Sequence, residues 1–270
     1  MTRYYYLLAS LLNPDEKGVI KNNDIIAVRE FITRNLSRKD RVLFDYLLYP
    51  NDIHNLLIVL FNKDAVFRTP AVLEEATLRK YKDYQYDLPK FIQHFLVEYF
   101  ALAETMTEHE ATDLLYSFFF EEIKTVNSDF IKKYFEFDHS IRNILVALNT
   151  RKYMYSKTEY LLDGEPFYEE IRHNNDESFG LSGIFEFVPE WAALLLLNQQ
   201  TKLAHSIDRA REVYIDQLLK GDAFTSAHVF GYFLKFQLYY RWKNLNEETG
   251  EEKLQSMVDT LTNEALEYTN

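Results

Sequence analysis

The chain has 270 residues, no cysteine, and 42 acidic against 30 basic side chains, which gives a net charge of −12. This charge argues against a nucleic-acid binder that works through a basic face. The missing cysteines exclude disulfides, zinc–thiolate sites, iron–sulfur clusters and thiol catalysis. With 7 Gly and 6 Pro beside 20 Tyr and 21 Phe, the composition favours an acidic, helix-rich protein over a turn-dense β-sandwich.

The N-terminal stretch from Tyr4 to Leu12 is apolar, but it contains three consecutive tyrosines and no small-residue cleavage site follows it. We therefore expect a buried element of the fold rather than a secretory signal. No apolar run approaches the roughly 18 residues that a spanning helix needs. Together these features predict a cytoplasmic protein that reaches a membrane only through partners.

Apolar residues recur at three- and four-residue spacing along most of the chain, which predicts helices. Cap-like residues support two of the helix starts, at Asp24 and at Asp52, and Pro89 fits the first turn of another helix. The predicted helices cover about 25–36, 53–60, 88–100, 114–123, 128–148, 189–203, 206–219, 223–245 and 251–267.

One stretch, at about 163–189, interrupts this periodicity. It holds Gly164, Gly180 and Gly183, three of the seven glycines, together with two of the six prolines. The composition predicts a long connection or a small irregular subdomain, with a strand at 184–188 left open. Long connections of this kind are often functional.

An internal repeat relates two of the predicted helices. Residues 46–63 align without gaps on 134–151, an offset of 134 − 46 = 88. Adding 88 again reaches 222–239, where only the apolar pattern is shared. The alternative explanation is that any two amphipathic helices share such a stripe. The identical pairs are Tyr46/Tyr134, Ile53/Ile141, Asn55/Asn143, Leu57/Leu145 and Leu60/Leu148.

Since 270 is close to three times 88, the repeat predicts an all-α fold of three quasi-equivalent helical modules packed side by side. The first module covers 1–85 and the second covers 86–165. The third part, 166–270, combines the irregular connection with the last module.

Two segments carry a resemblance to a known family. In the first, Asp138 is followed by Asn143, an apolar helix and a basic end at Arg151. In the second, Tyr232 begins a helix that leads to Arg241. Both resemble the C-type (d-type) central-stalk component of V-type and A-type rotary ATPases, although the final arginine of the second pattern is missing here. The N-terminal stretch at 4–12 also looks like a divergent bacterial branch that is encoded in V-type ATPase operons.

The resemblance implies a non-catalytic adaptor that needs no cofactor. Its modules would form a funnel that receives the central rotor shaft, and its opposite face would sit on the membrane rotor ring at the cytoplasmic side of the inner membrane. A generic helical scaffold that binds peptides is the alternative. The candidate partner-binding residues are Asn55, Asn143, Arg151, Tyr232, Lys235 and Arg241.

Catalytic motifs are weak in this sequence. It contains no P-loop. Glutamate and histidine occur at E-x-x-H spacing at 136–139 and at 170–173, as in di-metal carboxylate proteins, with Glu98 and Glu104 as further candidate ligands. Because 170–173 falls in the irregular stretch, we do not expect a metal site. We expect Glu136 and Asp138 instead to lie in a turn or in the first turn of a helix, where carboxylates favour the positive end of the helix dipole. We therefore predict that the chain is not itself an enzyme.

Overall fold

Helices account for the regular secondary structure of the residues that the structure describes. The computed structural model describes residues 4–11, 24–83, 87–102, 106–155, 160–221 and 224–243. Within these ranges it has twelve α-helices and no strand, which confirms the predicted all-α class. The helices are α1 (Tyr5–Ser10), α2 (Ile25–Asn35), α3 (Arg38–Asp45), α4 (Tyr49–Leu60), α5 (Glu75–Arg79), α6 (Lys90–Leu102), α7 (Glu108–Thr125), α8 (Asp129–Tyr153), α9 (Tyr168–His173), α10 (Val188–Leu196), α11 (Gln200–Leu218) and α12 (Ser226–Lys243).

Short polar side chains fix the starts of four of these helices. Asp24 caps α2, Ser37 caps α3 and Ser128 caps α8, each by accepting a hydrogen bond from a backbone N–H of the first turn. Thr107 and Glu110 form a reciprocal capping box at the start of α7. Each such cap stabilises its helix by about 1 kcal/mol, so the sequence itself sets where these elements begin.

Several of the predicted elements differ from the structure. The sequence did not predict α3, α5 or α9, and the predicted break between 203 and 206 is absent because α11 is continuous. The helix predicted at 189–203 is divided, because α10 ends at Leu196 and α11 begins at Gln200. Asn198 between them has a φ of 55°, which asparagine tolerates better than most residues and which turns the chain sharply. The possible strand at 184–188 consists of turns followed by the start of α10. The predicted helix at 251–267 lies outside the described residues.

The apolar core has two parts that meet on α8 and α11. The large cluster takes side chains from α1 to α7, from the first turns of α8 and from α12. The small cluster takes side chains from the remainder of α8, from the irregular stretch and from α10 and α11. Phe135 belongs to the large cluster and Ile141 to the small one. Because α11 also contributes to both, with Ile215 in the large cluster and Ala210 in the small one, α8 and α11 together join the two halves of the core.

The last described helix returns to the N-terminal half. The ring of Phe233 on α12 lies edge-on against Phe44 on α3, with centroids 4.7 Å apart. The Tyr4 N–H donates to the Phe224 carbonyl at 2.6 Å, so α1 and α12 are held together. The predicted module boundaries at 85/86 and 165/166 stay predictions. No helix in the described ranges is long and apolar enough to cross a bilayer.

Candidate functional site

The two asparagines that the repeat pairs make the same contact. Asn55 on α4 donates from Nδ2 to the Arg68 carbonyl at 2.9 Å and accepts the Arg68 N–H at 2.7 Å. Asn143 on α8 donates to the Leu162 carbonyl at 2.7 Å and accepts the Leu162 N–H at 3.0 Å. Each amide thus satisfies both polar groups of one loop residue. We call this two-way contact the asparagine clamp.

A polar residue one turn before each clamp asparagine binds the same loop. Asp52 on α4 accepts the backbone N–H groups of Val72 and Leu73 at 3.0 and 2.9 Å. The equivalent position, 52 + 88 = 140, is a serine that donates to Glu165 at 2.7 Å. Glu165 in turn accepts the Phe167 N–H at 2.9 Å. The carboxylate therefore stands on the helix in one repeat and on the loop in the other.

The third window of the repeat has no clamp. Its equivalent position, 143 + 88 = 231, is a glycine on α12. A Cβ at Gly231 would lie 2.7 Å from a methyl carbon of Leu219 and 3.1 Å from one of Ile215, so any larger residue there would require these side chains to shift. The clamp is consequently a feature of the first two windows.

A second group of polar residues lies where α10, α11 and α12 meet. These helices surround an open cleft of about 1100 Å³, which we call the α10–α12 cleft. Its walls carry apolar side chains from each helix and an almost equal number of acidic and basic groups. The charged lining residues are Glu190, Lys202, Asp208, Arg209, Glu212, Asp216 and Lys235.

Asp208 is the centre of a charge network at the cleft. Its side chain is 5% exposed, and it pairs with Arg241 from α12 and with Arg211 from its own helix, the latter at 3.2 Å. Trp242 Nε1 donates to the same carboxylate at 2.8 Å. Arg211 also bonds Asp138 on α8 through Nε and Nη2, at 2.9 and 2.7 Å. Two acids and two arginines thus tie three helices together with no net charge.

The environment of Arg211 explains why this network can stay ionised. Burial is the largest single influence on the pKa of Arg211 and lowers it, but the charges of Asp138 and its other neighbours and the hydrogen bond to Asp138 together outweigh burial and raise the pKa. A buried charge is tolerated when partners of opposite sign and hydrogen bonds compensate its lost hydration. The network therefore fixes the relative positions of α8, α11 and α12.

Of the six candidate partner-binding residues, Lys235 lines this cleft, and Arg241, also on α12, pairs with Asp208 of its wall without lining it. Lys235 lines it and forms an ion pair with Asp216 at 2.6 Å. Arg241 belongs to the charge network, and its guanidinium lies 5.1 Å from the Trp242 ring centroid. The cleft wall also carries His205, stacked on Trp242 with centroids 3.4 Å apart. The structure thus places Lys235 on the cleft wall and ties Arg241 to it through Asp208.

Arg151 and Tyr232 lie elsewhere. Arg151, at the end of α8, donates to the backbone carbonyls of Asp176 and Glu177 and lies 4.2 Å from the Phe179 ring centroid. It therefore anchors the irregular stretch to α8. Tyr232 is partly buried against the large cluster, and burial raises its pKa to about 12. Partner binding by the six candidates stays a prediction.

The E-x-x-H histidines are far from forming one centre. His173 is exposed and contacts Glu169, with Nε2 3.0 Å from Oε2. The ring of His139 is buried and stacks on Phe120, with centroids 4.0 Å apart. Among the residues that the structure describes, no three His, Asp or Glu side chains are grouped so that they could hold a metal ion. Glu104 lies outside those residues.

His139 predicts an acid-sensitive contribution to stability. Burial lowers its pKa to about 4, against the opposing hydrogen bond to the Leu162 backbone. Because an unfolded histidine titrates near about 6.5, the neutral ring stabilises the fold above that pH and loses this contribution as the pH falls toward 4. Between pH 7 and pH 5 we expect the loss to be about 2 kcal/mol.

Urea unfolding of the wild-type chain and of His139→Phe at both pH values measures this loss. The free energy of unfolding of the wild-type chain minus that of His139→Phe should be about 2 kcal/mol lower at pH 5 than at pH 7. Asp52, whose pKa burial raises to about 6, shifts stability in the opposite direction, but it is present in both proteins and cancels. A difference that stays constant over this range would contradict the prediction.

Comparison with known proteins identifies a family but no function. The model of a family described as a protein of unknown function, DUF2764, matches residues 1–265. The chain belongs to that family. No curated protein and no solved structure matches it.

Proposed function

We propose that this member of the DUF2764 family is a non-catalytic adaptor of a V-type rotary ATPase. It would join the soluble rotor shaft to the membrane rotor ring and would lie at the cytoplasmic side of the inner membrane through these partners. The proposal starts from the sequence resemblance around residues 138–151 and 232–241. It needs no cofactor and no catalytic group in this chain.

The repeated asparagine clamp is the observation that carries the proposal. The resemblance implies modules built on one plan, and Asn55 and Asn143 hold their loops by the same pair of hydrogen bonds. An adaptor that transmits torque has to resist deformation. Clamps that fix loops to helices remove loop freedom, and a tertiary ion network does the same for neighbouring helices.

The α10–α12 cleft supports the proposal as a place for a partner. It is open, it is about 1100 Å³ in volume, and one of the candidate partner-binding residues, Lys235, lines it. Charged rims steer association and fix orientation more than they add affinity. A shaft helix with acidic side chains would meet Lys202, Arg209 and Lys235 on the cleft walls.

A binding experiment with purified components tests the proposal. The tagged chain is immobilised and exposed separately to the shaft subunits and to the detergent-solubilised rotor ring of the V-type ATPase from the same source. We expect saturable binding to both. Lys235→Ala should weaken binding to the shaft about five-fold or more, the effect of about 1 kcal/mol at an interface.

Lys90→Ala is the matched control, since Lys90 is an exposed lysine on α6 and does not line the cleft. It should leave binding unchanged. Failure of the folded wild-type chain to bind either the shaft or the ring at tens of micromolar would overturn the adaptor proposal. Equal losses for Lys235→Ala and Lys90→Ala would instead reject the cleft as the contact surface.

A helical scaffold that binds peptides is the second candidate, and the same cleft favours it. Its mixed apolar and charged walls and its volume suit an extended or helical segment of a partner. The two functions are distinguished by selectivity. A scaffold would select peptides from a display library and ignore the rotor subunits, whereas an adaptor would bind the assembled shaft.

A further inference from the structure

A separate pocket lies under the irregular stretch. It has a volume of about 390 Å³ and is bounded by α8, by α11 and by residues 166–187 of the stretch. Its principal lining residues are Glu136, Phe137, Phe167, Phe185, Phe187 and Tyr214. We call it the aromatic pocket. Its size falls within the roughly 300–1,000 Å³ that small-molecule sites occupy.

Stacked rings form the walls of the aromatic pocket. Phe137 lies between two neighbours, with its centroid 4.0 Å from that of Tyr214 and 5.7 Å from that of Phe185. Both pairs are nearly parallel, at 14° and 17°. Phe167 meets Phe185 edge-on at 5.3 Å. Because each ring is held by a neighbour, the walls are set before any ligand arrives.

Glu136 is the only ionisable acid or base among the pocket's described lining residues other than the Tyr214 phenol. The lining there contains no lysine, arginine or histidine. Within the part of the chain that the structure describes, the Glu136 carboxylate makes no hydrogen bond or ion pair. It is close enough to Tyr214 that, after burial, its charge helps to raise the pKa of that phenol. The carboxylate is therefore available to a ligand.

We propose that the aromatic pocket binds a small organic cation, an ammonium group carried on an apolar or aromatic body. The aromatic faces attract a cation through the negative potential above each ring. They also accept an apolar body by burial of its surface. Glu136 supplies the opposite charge at the same site. This inference uses neither the cleft nor the rotor partners, so it stands or falls separately from the proposed function.

The negative charge of Glu136 also disfavours other classes of ligand in this pocket. An anion would meet the Glu136 carboxylate without any basic partner to offset the repulsion among the described lining residues. A neutral apolar ligand would gain the same surface burial but would leave the carboxylate unpaired. A matched series of ligands that differ only in charge therefore separates these possibilities.

Three probes test the inference on the full chain at pH 7, with binding measured by isothermal titration calorimetry and by ligand-observed NMR. They are 2-phenylethylamine, which is a cation at this pH, neutral 2-phenylethanol and anionic phenylacetate. We expect the amine to bind about five-fold more tightly than the alcohol, the upper end of what one ion pair with an exposed carboxylate such as Glu136 contributes. Phenylacetate should bind least.

Two variants locate the effect. Glu136→Gln should lower the affinity for the amine to that for the alcohol. Phe137→Leu should weaken binding of the amine about three-fold and binding of the alcohol by less. Glu186→Gln is the control, because Glu186 is an exposed acid between two lining residues but does not itself line the pocket. Equal affinities for the three probes, no binding at millimolar concentration, or equal effects of Glu136→Gln and Glu186→Gln would each overturn the assignment.

Discussion

Replacing Asp208 with asparagine is expected to lower the free energy of unfolding by about 3 kcal/mol. The substitution keeps the size of the side chain and can keep the hydrogen bond from Trp242. It removes the negative charge that compensates Arg211 and Arg241 at a side chain that is only 5% exposed. Arg211 then keeps only Asp138 as a partner, and Arg241, whose side chain is 44% exposed, keeps part of its hydration. The loss therefore lies at the lower end of what removing a partner from a buried ion pair costs.

Asp216→Asn is the matched control for this prediction. Asp216 lies on the same helix and also pairs with a basic residue of α12, but its side chain is 58% exposed. Exposed pairs contribute little, because water and salt already screen the charges, so we expect a change within about 0.5 kcal/mol. Urea titrations at pH 7 measure both changes. Similar small effects for the two substitutions would show that the network does not stabilise the fold.

A double-substitution cycle with Arg241→Met tests whether the energy belongs to the pair. If Arg241 depends on Asp208, removing both should destabilise by less than the sum of the two single changes, with a coupling of about 1–2 kcal/mol. Additive effects would instead assign the loss to Arg211. The cycle therefore shows how much of the destabilisation by Asp208→Asn comes from the lost pairing with Arg241 and how much from the lost pairing with Arg211.

Much of the helical architecture could be predicted from the sequence, because it follows from local pattern. The apolar stripe of Ile25, Val28 and Ile32 predicts α2, and those residues are buried there. The division between α10 and α11 could not be predicted in this way. The apolar spacing continues across residues 189–203, and only the left-handed backbone at Asn198 turns the chain.

The candidate site was partly predictable for a related reason. The repeat aligns two segments of the same chain, so the identity of Asn55 and Asn143 is visible in the sequence without knowledge of the residues that they contact. Asp208 and Arg211 show only an unremarkable three-residue charge spacing on a helix. Their other partners, Arg241 and Asp138, are 33 and 73 residues away in sequence, and a single sequence does not indicate which helices will meet. The network therefore became visible only with the tertiary packing.

Replacing Asn143 with alanine is expected to destabilise the chain by about 3 kcal/mol, and Asn55→Ala by about half as much. Both asparagines are buried and both make two hydrogen bonds with the backbone of one loop residue. Their partners differ in exposure, since Leu162 is buried whereas Arg68 is exposed. When the clamp is removed, water can reach the Arg68 backbone, while the Leu162 N–H and carbonyl are left without that replacement.

Asn149→Ala separates the clamp from the general effect of an asparagine on α8. Its Nδ2 donates to the Leu145 carbonyl within the same helix at 2.8 Å, so it connects no second element. Alanine favours the helix by about 0.5 kcal/mol or more relative to asparagine, and we expect no net loss. In urea titrations, the free energy of unfolding should therefore be lowest for Asn143→Ala, higher for Asn55→Ala and highest for Asn149→Ala. If Asn55→Ala were as damaging as Asn143→Ala, burial of the loop backbone would not be what sets the strength of the clamp.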